Sequence, residues 1–385
     1  MSGPTSKKFF IVAGENSGDL HGANLVKALR KQEPDVVFRG LGGPEMERNG
    51  VELLENMVEK LAIIGFTQVV RNINKIFKLF KLVEDALVED PPDAVILIDY
   101  PGFNLRVARL ANSLDIKVIY YVVPQLWAWH ASRINTIRPN VDLLLVILPF
   151  EEEYYRQRKV RDVRYTGHPL LDVIKLTRTR EEVCAKFGLD AERPLIGLLP
   201  GSRKPEIIRI LPTLLEACEL LYKDDPSRQF VLPRATSVPE SLIEKYISRY
   251  AAPIKVIAQE RFNVRATFDF ALVTSGTATL ETTILECPML IIYKVSWLTW
   301  LIGKALADIH YVGLPNIIAE KMIVPELLQD EATGLRIFEE TKKIIGSEEK
   351  MANVKYELRR IKEKLGEPGA SDKAAAHIRQ LLGAS

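Results

Sequence analysis

Hydrophobic residues occur along the chain as short β-rich runs that alternate with longer segments of helical periodicity. The first run, residues 9–13, is followed by Gly14 and a helical segment; further runs in this half lie at 36–38, 94–98, 118–122 and 143–147. Such alternation is typical of βαβ units on a parallel sheet. The pattern therefore predicts a first doubly wound α/β domain over residues 1–170.

A second series of apolar runs follows, at 195–199, 230–232, 254–256, 270–273 and 290–293, again separated by helical segments. It predicts a second Rossmann-like domain over residues 171–330. Residues 331–385 are helical in pattern throughout. We expect this tail to pack back on the first domain or on a partner subunit. In the second case the protein would be a homodimer.

Composition narrows the class of protein. The 385 residues are 47% hydrophobic and 26% charged, which excludes a disordered or fibrous chain. Because 52 basic residues oppose 50 acidic ones, no overall positive field indicates nucleic acid as a partner. The three cysteines have no C-x-x-C spacing and are expected to be reduced thiols. With no secretory signal and no uninterrupted apolar span predicted, a cytoplasmic location is expected.

Two loops of the first domain carry candidate chemistry. The glycines at 14, 18 and 22 are spaced by four, unlike the G-x-G-x-x-G of nicotinamide folds. Gly14, Ser17 and Gly18 are predicted to bring backbone N–H groups to an oxygen-rich ligand, although Asp19 in this loop could be an ordinary helix cap. Asp99 follows the run 94–98 and is a candidate general base. The alternative is that it caps the helix that begins near Asn104.

The loop 124–130 holds two tryptophans and a histidine, an unusual content for a loop. Packing in the core or between domains is the favoured explanation for Trp127 and Trp129.

Two loops of the second domain resemble anion sites. Gly201, Ser202 and Arg203 follow a strand and precede a helix, so backbone N–H groups, the helix dipole and the guanidinium suit a diphosphate. The segment 274–281 repeats this arrangement, and N-capping alone would account for its hydroxyls but not for two such loops. Its candidate ligand-binding residues are Ser275, Gly276, Thr277, Thr279 and Glu281, the last of which can accept both hydroxyls of a ribose.

No Asp-x-Asp motif and no histidine pair with metal-ligand spacing occurs in the sequence. The residues therefore predict a nucleotide diphosphate, bound without metal by the second domain and facing a carboxylate of the first.

Seven segments together closely resemble the lipid A disaccharide synthases: 13–19 (AGENSGD), 124–129 (PQLWAW), 148–151 (LPFE), 167–170 (GHPL), 199–203 (LPGSR), 275–281 (SGTATLE) and 314–316 (LPN). The resemblance implies an α/β fold with two Rossmann-like domains of the GT-B type. It also implies transfer of 2,3-diacylglucosamine from its UDP donor to the 6-hydroxyl of 2,3-diacylglucosamine 1-phosphate, giving a β-1,6-linked disaccharide. The family inverts the anomeric centre without a metal or other cofactor, on the cytoplasmic face of the inner membrane.

Residue roles follow from the same resemblance. Asp99 is implied as the base, with Glu15 as the competing candidate, and Arg203, Glu281 and Asn316 are implied in the nucleotide site. His130 stands where members of the family often carry arginine.

The segment 66–83 is strongly amphipathic. Apolar residues share one face, while lysines and Arg71 lie opposite or at the flank. A core helix is the alternative, but three phenylalanines with a cationic rim favour an interfacial helix on an anionic membrane. The predicted membrane-facing residues are Phe66, Val69, Val70, Ile73, Ile76, Phe77 and Phe80, with Val83 on the same face. Trp297, Leu298, Trp300 and Leu301 form a second candidate surface, for which buried packing is favoured.

Two other classes of function remain open from the sequence. One is a UDP-sugar epimerase or a transferase with a soluble acceptor. The other is a non-catalytic lipid-binding or scaffold protein, against which Asp99 and Arg203 argue.

Overall fold

The computed structural model describes residues 6–62, 73–128, 130–295 and 310–383. The chain forms two compact units, one of Met1–Asp172 with Leu365–Ser385 and the other of Val173–Lys364. The helical tail is therefore divided, since residues 331–364 belong to the second unit and the last helix to the first.

The described part of the first unit contains a seven-stranded sheet. Its strands are β1 (Lys8–Ala13), β2 (Val37–Gly42), β3 (Glu52–Asn56), β4 (Ala94–Ile98), β5 (Lys117–Tyr121), β6 (Leu143–Val146) and β7 (Val163–Tyr165), all parallel and in the order β3-β2-β1-β4-β5-β6-β7. Every residue of β4 is buried, because helices cover both faces of a parallel sheet and its central strands are apolar throughout.

The helices of this unit are α1 (Asn16–Gln32), α2 (Pro44–Arg48), α3 (Met57–Ala62), α4 (Ile73–Glu89), α5 (Pro101–Ser113), α6 (Ile134–Asn140), α7 (Glu151–Gln157) and α8 (Leu170–Val173). The last helix of the chain, at Ala370–Leu381, packs on α1. There Arg379 pairs with Glu33 at 3.0 Å, and the Asp172 carboxylate accepts the N–H groups of Gly369 and Ser371.

The second unit has a six-stranded parallel sheet among its described residues. Its strands are β8 (Leu195–Leu199), β9 (Gln229–Pro233), β10 (Ile254–Ile257), β11 (Phe270–Thr274), β12 (Met289–Tyr293) and β13 (Glu326–Leu328), in the order β10-β9-β8-β11-β12-β13. Its helices are α9 (Arg180–Phe187), α10 (Lys204–Asp224), α11 (Glu240–Ile247), α12 (Arg261–Arg265), α13 (Thr277–Ile284), α14 (Leu314–Ala319), α15 (Gly334–Ile345) and α16 (Glu348–Lys364); the helix at Ala370–Leu381 is α17.

Each sheet has one point where the strand order reverses. In the first unit this point lies between β1 and β4, and in the second between β8 and β11. Ligands of doubly wound folds bind at the carboxyl ends of the strands at such a point. Two pairs of loops are thereby brought together, one after β1 and β4, the other after β8 and β11.

Candidate active site

Asp99 lies in a strained turn at the carboxyl end of β4. Asp99 and Tyr100 both have left-handed backbone angles, with φ of 49° and 43°. Such angles are costly for residues other than glycine and persist only when the surroundings impose them. The buried Asn104 amide imposes this turn by donating to the carbonyl oxygens of Ile98 (3.1 Å) and Asp99 (2.8 Å). The Tyr120 hydroxyl also donates to the Asp99 carbonyl oxygen, at 2.6 Å.

The Asp99 side chain is half-exposed, which suits a group that must reach a substrate. Helix α5 begins at Pro101, and the Tyr100 side chain in the capping position makes no capping bond. The alternative, in which the Asp99 carboxylate caps this helix, stays a prediction.

Glu15 lies at the neighbouring loop, after β1. Tyr100 connects the two loops, because a Cβ atom on Gly14 would lie 2.5 Å from the Tyr100 ring. Burial raises the pKa of the Tyr100 hydroxyl, and the charge of Glu15 raises it further. Two half-exposed carboxylates thus follow the two strands that flank the switch point of the first unit.

Asp19, in contrast, has a structural role. It is buried, and its carboxylate accepts the N–H groups of Gly43 (2.9 Å), Glu45 (2.9 Å) and Met46 (3.0 Å), so it caps α2 rather than α1. Gly18 packs on β1 and β4, since a Cβ atom there would contact Ala13 at 3.5 Å. Ser17 is half-exposed in the first turn of α1.

The first candidate anion loop of the second unit follows β8. A glutamate of the helix after it accepts hydrogen bonds from the N–H groups of this loop. The Glu206 carboxylate accepts the N–H groups of Ser202 (2.9 Å) and Arg203 (3.1 Å). Gly201 has φ of 114°, and a Cβ atom there would collide with Glu206, so both the angle and the close approach require glycine. The expectation that the Ser202 N–H is available to a diphosphate is thus not met in this conformation. The Arg203 side chain is 64% exposed.

Two hydroxyl groups of the loop after β11 donate hydrogen bonds to backbone carbonyl oxygens. Ser275 donates to the Val312 carbonyl oxygen (2.6 Å), and Thr279 to that of Gly276 (2.8 Å). Helix α13 begins at Thr277 without a side-chain capping bond, so N-capping does not account for these hydroxyls. Gly276, with φ of 143°, and Thr277 are exposed beside the switch point.

Glu281 is buried and paired with two arginines. Its carboxylate contacts Arg265, and Arg261 lies at 3.4 Å. Burial lowers the pKa of Arg265, which the charge of Glu281 opposes. A ribose bound at Glu281 would have to share its oxygens with these guanidinium groups.

Asn316 is fully buried and its amide is saturated with hydrogen bonds. It donates to the Val324 carbonyl oxygen (2.8 Å) and to Glu326 (2.7 Å), and it accepts the N–H groups of Ile323 (2.8 Å) and Val324 (3.0 Å). Direct contact with a nucleotide would cost some of these bonds. The structure thus gives Asn316 a positioning role in the loop before β13, in place of the expected direct contact.

The fold is shared with several nucleotide-sugar enzymes. One is a UDP-GlcNAc 2-epimerase from Neisseria meningitidis, solved with UDP-GlcNAc, which has a TM-score of 0.69 and 14% identity and covers 97% of this chain and 100% of its own. Another is the calicheamicin glycosyltransferase CalG4, with a TM-score of 0.62 and 14% identity over 98% of this chain and 99% of its own. These matches, with the two sheets above, confirm the predicted GT-B type fold.

Sequence comparison decides the family. A family model for lipid-A-disaccharide synthetase matches residues 9–379. The lipid-A-disaccharide synthase of Syntrophus aciditrophicus is 43% identical over 98% of both chains, and that of Geobacter sulfurreducens is 40% identical over 100% of this chain and 99% of its own. The chain belongs to the lipid-A-disaccharide synthase family. The predicted resemblance is confirmed, and the chain is a glycosyltransferase of lipid A biosynthesis rather than an epimerase.

This member of the family has further basic residues at the carboxyl edge of its second sheet, which the sequence analysis did not single out. Arg234 and Lys294 directly follow β9 and β12, and Arg261 begins α12 after β10. With Arg203 they give a basic edge to the sheet. For Arg234 and Lys294, the sequence signal was a basic residue directly after an apolar strand. In the described ranges, no group of three or more His, Cys, Asp or Glu residues could hold a metal ion.

The amphipathic segment is described only in part. Phe66, Val69 and Val70 lie outside the described residues, as do Trp129, Trp297, Leu298, Trp300 and Leu301, and α4 begins at Ile73. Ile76 and Phe80 are half-buried against the core and Val83 is buried within it, so core packing accounts for these three. Phe77 is 57% exposed. None of the helices in the described ranges has the length and hydropathy needed to cross a bilayer.

Proposed function

We propose that this family member transfers 2,3-diacylglucosamine from UDP to the 6-hydroxyl of 2,3-diacylglucosamine 1-phosphate, giving the β-1,6-linked disaccharide 1-phosphate and UDP. The observation that carries the proposal is the match over nearly the whole chain to relatives named lipid-A-disaccharide synthase. The carboxylates at the switch point of the first unit supply the base that such a transfer needs.

The reaction is a single displacement. The acceptor 6-oxygen forms a bond to the anomeric carbon as the bond from that carbon to the UDP oxygen breaks, which inverts the centre. Asp99 takes the proton from the 6-hydroxyl, and UDP leaves with the electron pair. Asp99 suits this role because its backbone is held by Asn104 and Tyr120 while its carboxylate is half-exposed. Glu15 is the competing base.

The second unit binds the nucleotide. Arg203 stabilises the charge that develops on the departing UDP, joined by the Ser202 N–H once a phosphate oxygen replaces the Glu206 carboxylate as its acceptor, so no metal is required. The exposed backbone of Gly276 and the Thr277 hydroxyl border the same switch point, and Glu281 accepts the ribose hydroxyls.

The enzyme binds the cytoplasmic face of the inner membrane peripherally, because both of its substrates are acylated. Phe77 supports this, since it is exposed on α4 between the exposed Lys75 and Lys78. We expect Phe77→Ser to weaken flotation with phosphatidylglycerol vesicles. Val88→Ser is the matched control, because Val88 is equally exposed on the same helix, at 58%. If both variants bind the vesicles equally, the docking surface lies elsewhere on the protein.

The decisive experiment is an assay of the purified chain in detergent, with UDP-diacylglucosamine and diacylglucosamine 1-phosphate and without metal. Disaccharide and UDP are expected in equal amounts. Absence of disaccharide, with the donor isomerised or untouched, would refute the proposed function.

A further inference from the structure

Glu151 is a buried carboxylate for which the proposed reaction has no use. It is 1% exposed at the start of α7 and lies in the segment that follows β6. Three N–H groups donate to it: the Trp127 indole at 3.0 Å, Ile147 at 3.1 Å and Leu148 at 2.9 Å. A carboxylate with this set of donors is satisfied only while it is ionised, since protonation turns one acceptor into a donor.

These bonds connect the segment after β6 to the loop after β5. Trp127 is half-buried in that loop and also packs edge-on against Phe150, with ring centroids 5.1 Å apart. The Tyr155 hydroxyl adds a bond to the Pro124 carbonyl oxygen, at 2.5 Å. Helix α7 therefore holds the loop at two places.

The start of the same loop supports the turn of Asp99. The Asp99 N–H donates to the carbonyl oxygens of Tyr121 (3.3 Å) and Val122 (3.2 Å). Val122 has φ of 55°, a strained angle for a β-branched residue, so this part of the loop keeps its shape only if its surroundings impose it. A continuous set of contacts thus runs from Glu151 through the loop to the proposed base.

We propose that Glu151 is a positioning residue for the acceptor side of the site: it holds Trp127, and with it the loop beside Asp99, in the conformation that receives the acceptor sugar. This inference rests on the proposed function. It assigns Glu151 no contact with either substrate.

The ionisation of Glu151 offers a way to follow this role. Burial raises the pKa of its carboxyl to about 7, against the lowering effect of its three donors. The titratable groups that face it are the phenols of Tyr155 and Tyr165. Because burial raises the pKa of both phenols as well, neither titrates near pH 7.

The test compares Glu151→Gln with Glu153→Gln, an exposed glutamate on the same helix. An amide in place of the carboxylate turns one acceptor into a donor, so Trp127 loses its partner. We expect kcat/KM for the acceptor to fall about tenfold or more, with the Kd for UDP unchanged. Glu153→Gln should behave as wild type. If wild type itself makes no disaccharide, the proposed function fails. If wild type is active and Glu151→Gln is as active, the positioning role fails.

A second readout does not depend on activity. The indole N–H resonance of Trp127, identified by its absence in Trp127→Phe, should titrate near pH 7 in the wild type and not in Glu151→Gln. Trp127→Phe keeps an aromatic ring but removes the indole N–H donor. It therefore tests the positioning role of Glu151 even if Glu151→Gln does not fold. Kinetically, Glu151→Gln should have little added effect in the Trp127→Phe background. A full, additive loss there, or an indole resonance that is the same in Glu151→Gln as in the wild type, would overturn the proposal.

Discussion

The two units present functional loops at equivalent points of the same topology, but they hold these loops differently. After β4 the first unit places two non-glycine residues in left-handed conformations and clamps them with the buried Asn104 and with Tyr120. After β8 the second unit uses Gly201, and the Glu206 carboxylate of the following helix holds the turn.

The difference suits the two chemical tasks proposed for these loops. A general base must stay at a fixed distance from the proton it takes, so a strained and clamped turn suits it. A diphosphate site needs backbone N–H groups that a ligand can approach closely, which glycine permits. In the second unit those donors are held by a carboxylate, the same kind of acceptor as a phosphate oxygen. Four variants or conditions test this difference between the two units.

The largest effect is expected at the clamped turn. Asp99→Ala should lower kcat by ~10²–10⁴, or about 3–5 kcal/mol, the usual contribution of a general base. The Kd for UDP should not change, because the second unit is untouched. Asp115→Ala is the matched control, since Asp115 is exposed and also has a left-handed backbone, with φ of 56°. Near-full turnover in Asp99→Ala, with activity lost in Glu15→Ala, would reverse the assignment of the base.

In the second unit, Arg203→Ala should cost roughly 2–4 kcal/mol of transition-state stabilisation, the scale of one charge-stabilising donor. The comparison is with Arg209→Ala, an exposed arginine further along α10. Steady-state kinetics with and without EDTA measure both claims, and EDTA should leave wild-type activity intact. A full requirement for added Mg²⁺ would contradict this part of the mechanism.

Acid should weaken the first unit through its buried histidines. Burial lowers the pKa of His21 to about 4 and that of His168 to about 3, so both are neutral in the folded chain. Between these values and about 6.5 the unfolded chain binds more protons, so stability is complete above pH 6.5 and falls as the pH drops. The loss is about 1.4 kcal/mol per pH unit for each histidine.

Urea denaturation between pH 7 and pH 4 measures this slope. His21→Gln should reduce it relative to the wild type. An unchanged slope in His21→Gln would place the acid sensitivity elsewhere.

The smallest effect is expected for Glu206, whose carboxylate accepts the N–H groups of the loop after β8. Glu206→Ala frees the N–H groups of Ser202 and Arg203 and removes a negative charge beside the diphosphate. UDP should therefore bind about tenfold more tightly in calorimetry, the equivalent of one charge-assisted hydrogen bond of about 1.5 kcal/mol. Loss of the cap should lower thermal stability by about 1 kcal/mol. Weaker UDP binding by Glu206→Ala would contradict this prediction. It would mean that Glu206 keeps its hydrogen bonds to the loop when the nucleotide is bound.

Three of the four edge strands escaped prediction for a physical reason. All ten predicted strands correspond to strands of the structure, because a continuous apolar run is the direct consequence of burial on both faces of a sheet. The strands that were missed, β3, β7 and β13, are only partly buried, and all lie at sheet edges. Their sequences mix apolar with polar residues, which also suits loops.

Apolar periodicity and contiguous motifs are local properties of a chain, and they were enough to predict the family and the fold and to point to loops with candidate chemistry. The bonding partner of each polar group follows only from the folded chain. Asp19 caps a helix 25 residues away, Glu281 pairs with Arg265, and Glu151 holds Trp127 across 24 residues. A hydrogen bond depends on distances of about 3 Å and on direction, and the packing of whole elements sets these for residues far apart in the chain. Motif positions therefore predicted which loops carry the polar groups of the proposed site, and the fold decided which of these groups are bonded within the protein.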